Sequence, residues 1–135
     1  MLRTNLLHPE LLDALASLGH GSRVLIADGN FPFRTEAGPN ARIVYLNLAP
    51  GLLAVDQVLE VLVAAVPVES AVMMQSPTEV PVQEVFREML GAGVEVDHVD
   101  RAAFYEQVRA ADTGLIVATG ERRTYANVLL TIGIA

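Results

Sequence analysis

His20 and Asp28 bracket the apolar run Arg23-Val24-Leu25-Ile26-Ala27, and each sits in a tight turn. The first turn is Leu18-Gly19-His20-Gly21 and the second is Asp28-Gly29-Asn30-Phe31-Pro32. An imidazole exchanges protons near neutral pH, whereas a carboxylate is a fixed anion unless it is buried. Arg101 adds a permanent cation. Gly120-Glu121-Arg122-Arg123-Thr124-Tyr125-Ala126-Asn127 adds a carboxylate, a phenol and an amide. This set suits binding and proton movement on a small molecule rich in hydroxyl groups.

The elements that must position these groups alternate along the chain. A first helix runs from Pro9, a favoured first-turn residue, to Gly19, with Leu11, Leu12, Leu15 and Leu18 as its inward stripe. Strands are expected at Arg23 to Ala27, Arg42 to Leu46, Ala71 to Gln75, Val94 to Val99, Gly114 to Thr119 and Val128 to Ile132. Helices are expected from Leu52 to Ala65, from the Pro77–Pro81 region to Leu90, and from Arg101 to Ala111. The alternation implies one three-layer α/β/α domain over residues 1–135, with a mainly parallel sheet of about six strands.

In such sheets ligands sit beyond the carboxyl ends of the strands. Asp28, Arg101, Glu121 and Tyr125 all follow strands, so three separated segments send polar groups to one edge. His20 lies at the opposite end of the first strand. Five strand residues span about 16 Å at about 3.3 Å each. His20 therefore serves a site completed by another subunit, unless the chain before the strand folds back.

Bulk properties bound the class. The chain has 135 residues, 52% hydrophobic and only 5% aromatic, with a net charge of −7. A chain of this length buries roughly 68–70% of its unfolded surface and needs no staples. The abundance of Val, Leu, Ile and Ala suits a sheet covered on both faces and a subunit interface. The negative charge opposes nucleic-acid and anionic-membrane partners, and no basic cluster reverses it. Apolar runs such as Val58 to Val66 are too short to cross a bilayer. Absent cysteine removes disulfides, thiol nucleophiles and cysteine metal sites. A cytoplasmic location fits these features. Three scattered histidines lack zinc-ligand spacing.

Each candidate also has a plainer reading. His20 taken alone ends a helix, and Asp28-Gly29 is a common turn pair. Arg101 opens a helix, where a cation opposes the dipole by roughly 0.3–1 kcal/mol. A ligand explains that placement, and so does an ion pair with Asp97 or Asp100. Glu121 can pair with Arg122 or Arg123. Tyr125 and Asn127 can serve packing and a turn. His98 alternates with Val94 and Val96 and reads as a core histidine, His8 as a helix-start or surface residue, and Met73-Met74 as core.

Taken together, the ordered motifs resemble the fucose mutarotase/ribose pyranase family of sugar-anomer isomerases over nearly the whole length. Gly19-His20, Asp28 and Phe31-Pro32 match the family's first motif. Arg101-Ala102-Ala103-Phe104-Tyr105-Glu106 is similar to the fucose branch, and Gly120-Glu121-Arg122 with Tyr125-Ala126-Asn127 matches the C-terminal motif. The resemblance implies that His20 is the proton donor and that Asp28, Arg101, Tyr125 and Asn127 bind a monosaccharide, with Ala126 contributing backbone. It further implies a ring-shaped homo-oligomer, often a decamer, with sites near subunit boundaries and no metal or organic cofactor. Two positions depart from the fucose pattern: Asn30 stands where that branch usually has histidine, and Ala126 where it often has glycine. Asn30 can bind sugar but cannot exchange a proton near pH 7. The expected activity is mutarotation of L-fucose or a similar pyranose, with His20, Asp28 and Tyr125 moving protons. Ribose pyranase activity is the first alternative, and a non-catalytic sugar-binding or ring-assembly module the second.

Overall fold

Every strand but one runs the same way in the computed structural model, which describes residues 1–135. The elements in chain order are α1 (Pro9–Ala16), β1 (Arg23–Ala27), β2 (Arg42–Tyr45), α2 (Val55–Ala65), β3 (Val68–Met74), α3 (Pro81–Leu90), β4 (Glu95–Val99), α4 (Arg101–Val108), β5 (Thr113–Ala118) and β6 (Val128–Ile132). They form one six-stranded sheet in the order β2-β5-β1-β6-β3-β4. β1 is parallel to β5, β5 to β2, and β3 to β4. β6 runs antiparallel between β1 and β3. The carboxyl ends of β1 to β5 therefore share one edge, and β6 begins at that edge.

Alternation along the strands divides the interior in two. Val24, Ile26, Leu115, Val117, Val128 and Leu130 face α1, α2 and α3, whose Leu11, Leu59, Leu62 and Phe86 complete a large cluster. Leu25, Ala27, Ile116 and Leu129 face the other way, against Phe31 and the Phe104 and Val108 of α4. The result is the expected α/β/α sandwich. β6 is buried on both faces, so its sequence reads as one apolar run rather than as alternation.

The principal differences from expectation are at element ends. α1 stops at Ala16 rather than Gly19, because the 17–22 segment turns back instead; the Ser22 N–H donates to the Gly19 carbonyl at 3.0 Å. α2 begins at Val55 rather than Leu52, and β3 begins three residues early, at Val68. His8 is the N-cap of α1, its Nδ1 accepting from the Leu11 N–H at 3.3 Å. Met73 and Met74 are core. His98 is not: β4 is an edge strand, and His98 is half-buried there.

Candidate functional site

Asp28 is the first residue past β1 and is 3% exposed. Asn127 is the last residue before β6, which lies beside β1. The antiparallel pairing therefore brings the two side chains together. The Asp28 N–H donates to Asn127 Oδ1 at 2.8 Å, and Asn127 Nδ2 donates to Asp28 Oδ2 at 3.0 Å. The Asn30 N–H donates to Asp28 Oδ1 at 3.0 Å, closing the turn. Burial pushes the Asp28 carboxyl above its usual range, against the opposing pull of the Asn30, Ala126 and Phe31 N–H groups and the Asn127 amide. Asp28 is thus a carboxylate held in place and made a better proton acceptor than one in water.

Around this pair is a cleft of about 210 Å³, lined by Asp28, Asn30, Phe31, Met74, Arg101, Tyr105, Thr124, Tyr125 and Asn127. It lies at the carboxyl ends of β1, β3 and β4. Its volume is below the roughly 300–1,000 Å³ of drug-sized sites and suits a small polar ligand. Phe31 and Tyr105 meet edge to face with ring centroids 5.2 Å apart. Arg101 lies over the Tyr105 ring, 5.3 Å from its centroid, and Nη2 donates to the Tyr105 hydroxyl at 3.4 Å. Neither Asp97 nor Asp100 pairs with Arg101. Asp100 instead caps α4, accepting from the Ala103 N–H at 2.8 Å. The guanidinium is left exposed at the cleft, free to meet a ligand.

Tyr125 has φ 57, a left-handed conformation that costs a non-glycine residue about 1–3 kcal/mol. The neighbouring peptide meets a polar group on each side. Its carbonyl, that of Tyr125, accepts from Gln83 Nε2 at 3.0 Å. Its N–H, that of Ala126, faces the Asp28 carboxylate and helps to draw that carboxyl's pKa down against burial. Gln83 carried no sequence signal, since a lone glutamine on an amphipathic helix looks like any solvated side chain.

Glu121 does not join the cleft. It lines a separate hollow of about 500 Å³ that shares only Asn30 with the first. Its Oε1 accepts from Arg123 Nε at 2.9 Å and its Oε2 from Arg123 Nη2 at 2.7 Å. Oε2 also accepts from the Val55 N–H at 3.1 Å, at the first turn of α2. Ala54 has no side chain that can cap that helix, so Glu121 supplies the anion from a distance. The Arg123 hydrogen bonds outweigh burial and hold the Glu121 carboxyl down at about 2. Glu121, a candidate for sugar binding, stands in an ion pair with Arg123 and does not line the cleft. Gly120 permits this turn: a Cβ there would lie 2.1 Å from the Leu52 carbonyl oxygen and 2.3 Å from that of Ala49.

Within one chain His20 is also apart from the cleft. It sits at the amino end of β1, its Nε2 2.9 Å from Glu69 Oε2 on β3, with 54% of its side chain exposed. The fold therefore gathers Asp28, Asn30, Arg101, Tyr125 and Asn127, and leaves His20 at the opposite edge of the sheet.

The chain is thus a single α/β domain with a polar cleft at its strand ends, walled by aromatics and floored by a buried carboxylate–amide pair. A model of the RbsD / FucU transport protein family matches residues 1–135, and the chain belongs to that family. It is 34% identical over 147 residues to the fucose mutarotase of Bos taurus, covering 96% of this chain and 90% of that protein. The fucose mutarotase of Streptococcus pneumoniae, solved in complex with L-fucose, superposes with a TM-score of 0.84 at 25% identity, covering 100% of this chain and 99% of the other. The RbsD of Bacillus subtilis, solved in complex with D-ribose, gives 0.86 at 26% identity over 100% and 99%.

Proposed function

We propose that this protein interconverts the α and β anomers of L-fucose, or of a pyranose of like configuration, in a cleft that His20 completes from another copy of the chain. It is an isomerase of the sugar mutarotase kind, as its family and its similarity to fucose mutarotases indicate. The observation that carries the choice of site is the buried Asp28–Asn127 pair facing a ring-sized cleft beside a free Arg101.

Mutarotation requires one proton to leave the anomeric hydroxyl and one to reach the ring oxygen. The ring opens, the aldehyde carbon rotates, and the ring recloses on its other face. The reaction already runs in water, so a positioned acid or base giving about 10²–10⁴-fold is sufficient. His20 protonates the ring oxygen. Tyr125 relays the anomeric proton, and Asp28 orients a hydroxyl or receives the proton. Arg101 and Asn127 hold the remaining hydroxyls, and the roles of acid and base exchange when the direction reverses.

L-Fucose is favoured over D-ribose by the wall of the cleft. A 6-deoxy sugar carries a methyl group, and Phe31, Met74 and the Tyr105 ring offer it an apolar surface. Ribose has no methyl group to bury there. A panel of L-fucose, D-ribose and D-galactose, read by NMR exchange between anomeric signals, tests the assignment. Fastest acceleration with L-fucose is expected. Faster pyranose–furanose exchange of ribose makes the protein a ribose pyranase, and ligand contacts without acceleration make it a binding module.

A further inference from the structure

The cleft is shaped from outside by a residue that does not line it. We infer that Gln83 is a positioning residue for the reaction, acting through the Tyr125–Ala126 peptide; this rests on the mutarotase reading of the cleft.

Gln83 lies in the first turn of α3, outside the lining of the cleft. Its Nε2 donates to the Met74 carbonyl at 2.9 Å and to the Tyr125 carbonyl at 3.0 Å. A primary amide has two N–H donors, and both are spent here. Since both partners are carbonyls, only the NH₂ end of the side chain can face them. The two backbone groups belong to two different walls of the cleft: Met74 ends β3, and Tyr125 precedes β6. One side chain thus fixes their separation.

The second half of the argument lies across the peptide. While Gln83 holds the Tyr125 carbonyl, the Ala126 N–H on the other side of the peptide faces the Asp28 carboxylate and draws its pKa down. The Gln83 hydrogen bond fixes the peptide plane at its carbonyl end, which helps sustain the left-handed Tyr125 (φ 57) and sets where its phenol leaves the backbone. Asp28 touches substrate as well as this peptide. Gln83 touches only the backbone carbonyls of Tyr125 and Met74 and does not line the cleft, so its removal isolates the effect of orientation. No other side chain supplies the two donors: Gln75 Nε2 is turned to the His98 carbonyl.

The variants Gln83→Met and Gln83→Glu keep the length of the side chain and remove both donors. With L-fucose, kcat falls about 10- to 100-fold as Tyr125 swings off line, while KM changes less than threefold because Asp28, Arg101 and Asn127 still hold the ring. A merely structural role would instead lower the amount of folded protein and leave kcat per folded chain intact. A sugar-free readout stands beside this one: the Ala126 amide hydrogen exchanges at least tenfold faster in both variants, with amides of the β1–β6 ladder unchanged. Unchanged kcat, or unchanged Ala126 protection, in a folded variant overturns the inference. A wild-type chain that fails to accelerate any sugar overturns the mutarotase reading, and Ala126 exchange then still decides whether Gln83 grips the peptide.

Discussion

Replacing Glu121 with glutamine separates a structural carboxylate from a sugar-binding one. The side chain keeps its size, but Arg123 loses one of its two carboxylate partners, keeping Asp56, and the first turn of α2 loses its anion. Arg123 holds the Glu121 carboxyl at about 2 against an ordinary 4.5. At about 1.4 kcal/mol per tenfold in affinity for the proton, that difference is at most about 3 kcal/mol. The Arg123 side chain is 46% exposed, and solvent screening brings the expected loss to about 1–2 kcal/mol. For a chain of this length, Tm then falls by about 4–8 °C. A carboxyl depressed on folding contributes its stability above its ordinary value and loses it as pH falls through the folded value. The gap between wild type and Glu121→Gln, measured by urea unfolding at fixed protein concentration, is therefore full above pH 5, smaller at pH 3 and gone near pH 2. Affinity for L-fucose stays within twofold. A large loss of sugar affinity at unchanged stability would refute this account of Glu121, and a gap that widens at low pH would refute the ion pair.

Arg101→Met should raise KM for L-fucose about 10- to 100-fold, the worth of a hydrogen bond from a charged group. The urea midpoint should not move, because the guanidinium is exposed and pairs with no carboxylate; a shift in midpoint with unchanged KM would assign Arg101 to the fold. His20→Ala should lower anomeric exchange strongly in a chain that still folds, and unchanged exchange would remove His20 as proton donor.

The layered fold and the shared edge of Asp28, Arg101 and Tyr125 are legible because their signals are local, whereas Asn30 and Asn127 enter as candidates through the family resemblance. Strand runs, glycine turns and Pro81 mark the elements, and strand ends mark where Asp28, Arg101 and Tyr125 emerge. What escaped depends on strand order. That β6 lies between β1 and β3 is what pairs Asp28 with Asn127, and no periodicity in a doubly buried strand reveals it. That β4 is an edge explains why His98 is half-buried when its alternation with valines suggested core. Glu121 had two adjacent arginines to choose from, and only the approach of α2 explains its use as a remote helix cap. Gln83 acts through backbone carbonyls, which leave no residue-type signature. The length of β1 places His20 away from the cleft, and the chain does hold it at the opposite edge of the sheet.

The central claim is that proton donor and sugar cleft of one working site come from different copies of the chain. Co-expression of His20→Ala with Asp28→Asn, each inactive alone, tests it directly by L-fucose anomeric exchange. Random assembly pairs an intact cleft with an intact neighbouring His20 in about a quarter of sites, so activity should return to about a quarter of wild type. If His20 instead serves its own chain, every site in the mixture carries one defect, and exchange would stay at the level of the separate variants.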